Sequence, residues 1–392
     1  MAYRGSEVRR LAGLLEKSAA DRDIISFGGG APSLAPPEEV MRHVAEKFIK
    51  EPRKTMTYTS TEGLPEARKF ISDDLKKYDK IDIEPNCISI TAGGGTAALF
   101  ETLVCAINPG DEVIISDPTY LGYREPIKLL GGKPVSVDTC WQGDFQMKPE
   151  DLAEKVNKKT KAILMLNPSN PTGSVMKKEN IKGIAEIAED KKLWLITDDV
   201  YRMITYERPF YNARLFCNYE NVVTCNSFSK EMSAPALRTG YVYGPKEFMA
   251  KFDLIQQAVS LTPSRVGQIA VEKFLENNGK IKEEYLSKTV IPTYKKRRDA
   301  MAKAFEKHLP ELEFAKPQGA FYFFVDFGKI LKEKKMDEHQ FSQKLFEEKS
   351  VAIIAGHPFG DRGRGHFRFT FVSEDEKRID EGMKRIADFI KK

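Results

Sequence analysis

Cysteine is scarce in this chain, with five in 392 residues and no two of them in a CxxC pair. That spacing argues against a disulfide framework and a structural zinc site, and it suits a reducing compartment, here expected to be the cytoplasm. Histidine is equally scarce, with five scattered residues, so no metal site is expected. No apolar run approaches the roughly 20 residues of a membrane span. The first residues, MAYRGSEVRRL, carry charge without an apolar stretch behind it, so no secretory leader is expected. The net charge is only +5, and acids and bases are interleaved. The basic runs Lys295–Arg298 and Lys332–Lys335 are short, so nucleic acid is not an expected partner. Internal repeats and low-complexity segments are also missing.

What the chain does have is alternation. Short apolar runs occur at Cys87–Ile90, Glu112–Ser116, Lys161–Leu166, Leu193–Thr197, Val222–Cys225 and Tyr241–Tyr243. Amphipathic stretches such as Thr96–Ile107, Asp151–Asn157 and Glu179–Lys191 separate most of them. Strand–helix–strand repetition implies a mainly parallel sheet covered on both faces. The last run follows its neighbour too closely for a helical crossover, so it is expected to be antiparallel. From about residue 285 the pattern changes to a charged helix (about 285–307), a Pro-Gln-Gly turn at 317–319, a strand Ala320–Asp326, a helix and a strand near Gly365–Phe371. This reads as a smaller α+β domain. The expected division is a large domain of residues 46–284 and a small one of residues 1–45 with 285–392.

Open α/β sheets bind ligands beyond the carboxyl ends of their strands. After ISI comes TAGGGTAALF, where glycines open a helix and free N–H groups can attract phosphate. After EVIIS comes DPTY, with Tyr120; after AILML comes NPSNPTG, with Asn170. After LWLIT comes DDVY, with Asp198 and Tyr201. After VVTCN comes SFSKEMSAPALRTG, with Ser227, Ser229, Lys230 and, eight residues beyond the lysine, Arg238. Singly these are ordinary: Asp is a common helix cap and NPTG a common turn. Together they assemble a phosphate cradle, an aromatic plate, a carboxylate, a phenol, an amide and a lysine on one rim. That set suits a phosphorylated aromatic aldehyde bound through an imine.

With S-x-S-K, an arginine eight residues on, NPxNPTG and D-x-x-Y in this order, the sequence resembles the class I/II aminotransferase family of pyridoxal-phosphate enzymes of fold type I. The resemblance runs from ISFGGGAP (25–32) to FRFTF (367–371). It implies a mainly parallel seven-stranded sheet between helices, pyridoxal 5′-phosphate as cofactor, an L-amino acid and a 2-oxo acid as substrates, and a homodimer with shared active sites.

The resemblance also assigns roles. Lys230 would be the Schiff-base lysine and proton shuttle. Arg238, Ser227, Gly94, Gly95 and Thr96 would hold the phosphate. Tyr58 matches the tyrosine that reaches the phosphate from the partner subunit. Asp198 would pair with the pyridine nitrogen. Tyr201 and Asn170 would bond the ring 3-oxygen, and Tyr120 would stack on the ring. Arg368 would clamp the substrate α-carboxylate, with the Gly30 backbone beside it. Asp199 is read as structural and Tyr123 as packing. Gly95 stands where one bacterial aspartate aminotransferase subgroup carries a lysine that reads a distal carboxylate. The start RGSEVRRL is similar instead to the 2-aminoadipate and kynurenine aminotransferase group, which makes Ser6 and Arg9 side-chain readers, with Arg265 a second candidate.

The expected reaction moves the amino group of an acidic, aromatic or broad range of L-amino acids to a 2-oxo acid, 2-oxoglutarate foremost, by a ping-pong route. A β-lyase or other elimination on the same scaffold is the alternative. A ligand-sensing regulator built on an aminotransferase-like domain is a remote one.

Overall fold

The computed structural model describes residues 22–217 and 219–392. Strand β1 (Ile25–Ser26) comes first in the chain. Seven strands then form one sheet: β2 (Ile88–Thr91), β3 (Glu112–Asp117), β4 (Lys133–Asp138), β5 (Thr160–Leu166), β6 (Trp194–Asp198), β7 (Val222–Ser227) and β8 (Gly240–Tyr243). Their order is β2-β8-β7-β6-β5-β3-β4. Neighbours from β4 to β7 pair in parallel, while β8 runs antiparallel to both β2 and β7. Strands β2, β7 and β8 are buried along their whole length, which is why they read as continuous apolar runs.

Strand β4 is a correction to the sequence reading, which assigned nothing there. KPVSVD carries a proline and stays half-exposed because β4 is an edge, the place in a sheet where proline is tolerated. The helix expected at Asp151–Asn157 is shorter and earlier, Pro149–Ala153, with the proline starting it.

The remaining strands are β9 (Tyr322–Asp326), β10 (Val351–Ala352), β11 (Ile354–Ala355) and β12 (His366–Thr370). The order β11-β12-β9 makes an antiparallel sheet, and β1 pairs in parallel with β10. Phe27 O accepts from Thr370 N at 2.7 Å, so the N-terminal stretch is stitched to the C-terminal layer. Its core is aromatic, with Phe305, Phe323, Phe327, Phe341, Phe367 and Phe369 in edge and tilted contacts.

The charged helix begins at Ile291, after a π-turn at Leu286–Val290 that continues helix Arg265–Tyr285. That earlier helix is broken within: Glu276 is extended, and Asn277, Asn278 and Gly279 have positive φ. Among the described residues, no helix is long and apolar enough to cross a membrane, and no group of three or more His, Cys, Asp or Glu could hold a metal ion.

Candidate active site

The carboxyl ends of β5, β6 and β7, the turn after β2 and strands β9 and β12 enclose a cavity of about 550 Å³. Gly95, Thr96, Tyr120, Asn170, Asp198, Tyr201, Ser227, Lys230, Arg238, Arg368 and Gly30 all line it.

Helix Gly94–Ala106 opens at one end of this cavity with no side chain capping it, so its first N–H groups are free for an anion. Gly94 has φ +65°, and a Cβ there would come within 3.1 Å of the Arg238 guanidinium. Both the backbone angle and the close approach call for glycine. Arg238 Nη2 donates to Gly93 O at 2.5 Å and Nη1 to Pro235 O at 3.0 Å, which aims the guanidinium along the helix mouth. Ser227 caps the four-residue helix Phe228–Glu231, its Oγ accepting from Ser229 N at 3.2 Å.

Lys230 stands in that helix, half-buried, with Nζ donating to Gly30 O at 2.7 Å. The Tyr201 and Phe321 rings each lie 5.7 Å from the ammonium. Burial, then the nearby Arg368 charge, brings its pKa down to about 8. Asp198 ends β6. Burial pushes its carboxyl up to about 6, against the hydrogen bond it accepts from Tyr123 Oη at 2.8 Å.

Tyr123 is therefore more than a packing residue. The strand order places β3 beside β5 and β5 beside β6, so the turn after β3 reaches Asp198, a juxtaposition invisible in local spacing. The one available signal was its position three residues after Tyr120; the two rings meet edge-on at 5.5 Å.

Tyr322 was also missed. Its hydroxyl lies 2.9 Å from that of Tyr201 and 3.4 Å from Gly30 O, and it sits in an alternating strand that reads as core. Arg368 is buried, donating to Asn170 Oδ1 at 3.0 Å and to Gly28 O at 2.9 Å. The ring centroids of Tyr322 and Phe359 lie 4.5 and 5.1 Å from its guanidinium.

Other candidates are elsewhere. Tyr58 is 79% exposed and does not line the cavity of its own chain. The Arg265 guanidinium donates to the carbonyls of Thr57 and Tyr58, each at 3.1 Å. Arg9 and Ser6 lie outside the described residues. Asp199 is buried beside Asn212, away from the cavity lining, and burial pushes its pKa well up.

These donors match a phosphorylated pyridine aldehyde at each of its three handles. The helix mouth and Arg238 suit a dianion, the buried Asp198 suits a ring N–H, and Lys230 suits a carbonyl. The model of the family described as aminotransferase class I and II matches residues 22–386. The chain belongs to that family. This aminotransferase has the fold of the type I pyridoxal-phosphate enzymes and depends on pyridoxal 5′-phosphate.

It is 36% identical to an aspartate aminotransferase of Sulfurisphaera tokodaii, over 94% of this chain and 90% of that one. It is 29% identical to the aromatic-amino-acid aminotransferase 2 of Thermococcus litoralis, over 98% and 96%. The solved structure of the Thermus thermophilus aspartate aminotransferase with maleate superimposes with a TM-score of 0.91 at 26% identity, covering 99% of this chain and 97% of that one. The chain is an amino-acid aminotransferase.

Proposed function

We propose that this aminotransferase moves the α-amino group of acidic and aromatic L-amino acids to 2-oxoglutarate by a ping-pong route, as a cytoplasmic homodimer. The observation that carries the reading is the convergence of Lys230, Asp198, Arg238 and Arg368 on one cavity. The names of the relatives, aspartate and aromatic, support the two donor classes. The five unpaired cysteines support a reducing compartment.

When bound, the cofactor supplies an electron sink for the pair left when the substrate Cα–H bond breaks. Helix Gly94–Ala106, Ser227 and Arg238 would hold its phosphate. Asp198, oriented by Tyr123, would keep the ring nitrogen protonated. Tyr201 and Asn170 would bond the 3-oxygen, and Tyr120 would cover a ring face. Arg368 binds the α-carboxylate through its two nitrogens and so orients Cα–H toward Lys230. Lys230 is the residue that would anchor the cofactor aldehyde and, once released, would be free at the reacting carbon. Its amine, neutral more often than a surface lysine's, would then be placed to take the proton from the substrate Cα and hold it for return. Arg9, in the segment outside the described residues, is proposed to read a distal carboxylate.

The test is a visible spectrum of the purified protein during addition of single amino acids without any oxo acid. Conversion of the aldehyde band to the amine band by aspartate, glutamate or phenylalanine is the expected outcome. Formation of pyruvate or ammonia without such conversion would replace transamination by elimination.

A further inference from the structure

Strand β3 ends in Asp117, a carboxylate that is 2% exposed and belongs to no part of the cavity lining. Both of its oxygens face the loop 357–363, which precedes β12 and Arg368. Asp361 N donates to Oδ2 and Arg362 N to Oδ1, each at 3.0 Å. Arg124 Nη2 adds a third donor, 2.8 Å from Oδ2. Gly360, at φ +137°, lets the backbone come this close, since a Cβ there would collide with the carboxylate. Two further bonds fix the same seam. Thr119 N donates to Phe359 O at 2.9 Å, and Arg362 donates to Asp138 at 2.8 and 2.6 Å.

The fastened loop carries Phe359, which is fully buried and forms one wall of the Arg368 guanidinium. The two charged nitrogens of Arg368 are fixed by hydrogen bonds along its own plane. The Tyr322 and Phe359 rings also lie against it, their centroids 4.5 and 5.1 Å from Cζ. Tyr322 is held by its hydroxyl contacts to Tyr201 and Gly30. The Phe359 ring has no polar atom, so it is placed by apolar packing, including Phe324 at 5.9 Å, and by the loop that Asp117 helps to fasten.

We propose that Asp117 is a positioning residue for the α-carboxylate site: by fastening the loop 357–363, it sets the Phe359 ring that holds Arg368 in register with the substrate. This rests on the reading of Arg368 as the carboxylate clamp. Asp117 itself touches neither substrate nor cofactor. An asparagine would keep the shape but turn its NH2 toward existing donors, so one donor (Arg362 N) or two (Asp361 N and Arg124 Nη2) would lose their acceptor, depending on which oxygen is replaced.

The experiment uses cofactor-loaded protein and follows single half-reactions by visible absorbance with phenylalanine and with phenethylamine, its analogue without the carboxylate. D117N is expected to weaken the apparent affinity for phenylalanine about tenfold, with a smaller fall in the limiting rate, while the reaction with phenethylamine stays within twofold of the parent. F359L, which keeps the loop's polar contacts, is expected to show the same selective loss and decides the matter where D117N does not fold. In an R368Q background, D117N should add less than twofold, because the two changes act through one guanidinium.

Equal losses for phenylalanine and phenethylamine would mark Asp117 as merely structural and overturn the proposal. So would affinities within twofold of the parent for both variants while R368Q alone weakens binding. Unchanged affinity in R368Q would overturn the clamp reading and this proposal together.

Discussion

Burial and the Arg368 charge bring the Lys230 ammonium down to about 8, so at pH 7 about one lysine in ten is neutral, against about one in a few thousand for an unperturbed side chain. Only the neutral amine attacks a carbonyl. The rate of covalent capture of pyridoxal phosphate by apoprotein should therefore rise about fivefold from pH 7 to 8 and flatten above about pH 8.5. Stopped-flow absorbance measures it; a rate still climbing at pH 10 would show that the lysine is not lowered. The sign follows from the direction of the shift, because a lowered cation becomes reactive at lower pH. The neighbouring carboxylate moves the other way: burial raises Asp198 to about 6, and ionisation at neutral pH depends on the Tyr123 hydroxyl and the Val200 N–H. Lys230, Asp198, Asn170, Tyr201, Arg238 and Arg368 were legible because each follows a strand or sits in a short motif, and all of them line one cavity. Tyr123, Tyr322 and Phe359 were not. Their places beside Asp198, Tyr201 and Arg368 come from strand order and from packing between distant segments, which no local spacing encodes.

At the level of elements, Lys230 and Asp198 are each followed by an acid that points the opposite way. Glu231 and Asp199 belong to a dry cluster with Asp74, Asp79, Arg202 and Lys282, all at least nine-tenths buried. Lys282 Nζ lies 2.8 Å from both Asp74 oxygens and 3.0 Å from Glu231 Oε2, while Arg202 pairs with Asp74 and Asp79. The cluster ties helix Pro65–Asp74, the turn after β6, the Lys230 helix and helix Arg265–Tyr285 to one another. A four-residue helix such as Phe228–Glu231 is too short to hold itself, so its orientation comes from such anchors. Lys282→Met should cost about 3–5 kcal/mol, because it leaves buried carboxylates with one cation fewer. Denaturant unfolding of the variant at pH 5 and pH 8 checks it. The deficit should shrink at the lower pH: against burial, the Lys282 and Arg202 charges hold the Asp74 carboxyl below its usual range, and without Lys282 it would take up a proton more readily as pH falls, which relieves the unpaired buried charge. A loss under 1 kcal/mol would mean that water or side-chain rearrangement replaces the lysine. The same scale shows where the sequence could be read for elements. The fully buried strands announced themselves as apolar runs. Edge strand β4 was hidden by its proline and partial exposure, and β1, β10 and β11, two residues each, are too short to show any period.

For the whole molecule the question is what covers its exposed apolar side. Met56 and Tyr58 are 73% and 79% exposed, and Leu254 and Val259 point outward from helix Lys246–Ser260. The loop of residues 56–61 rests on both helices behind it: Gln256 of that helix donates to Thr61 O, and Arg265, which opens the next helix, binds the carbonyls of Thr57 and Tyr58. Large side chains left out together in this way suit a second copy of the chain. Tyr58 then has a definite use, for it is presented outward on a loop that Arg265 holds still, and it cannot serve the cavity of its own chain from there. In the homodimer proposed above, its hydroxyl would complete the phosphate site of the partner. Hybrids of two defective chains separate this from a role in the chain's own site. A hybrid of Lys230→Ala with Tyr58→Ala has one site lacking both residues and one site with both intact. Random mixing of equal amounts should therefore restore about a quarter of the parental high-affinity cofactor sites, as expected for a two-fold dimer with sites shared across the interface. Lys230→Ala alone should show no covalent binding, and Tyr58→Ala alone should bind only with reduced affinity. Cofactor titration followed by absorbance counts the sites. If mixing restores none, although the chains exchange into hybrid dimers by size and mass, Tyr58 acts within its own chain or not at all.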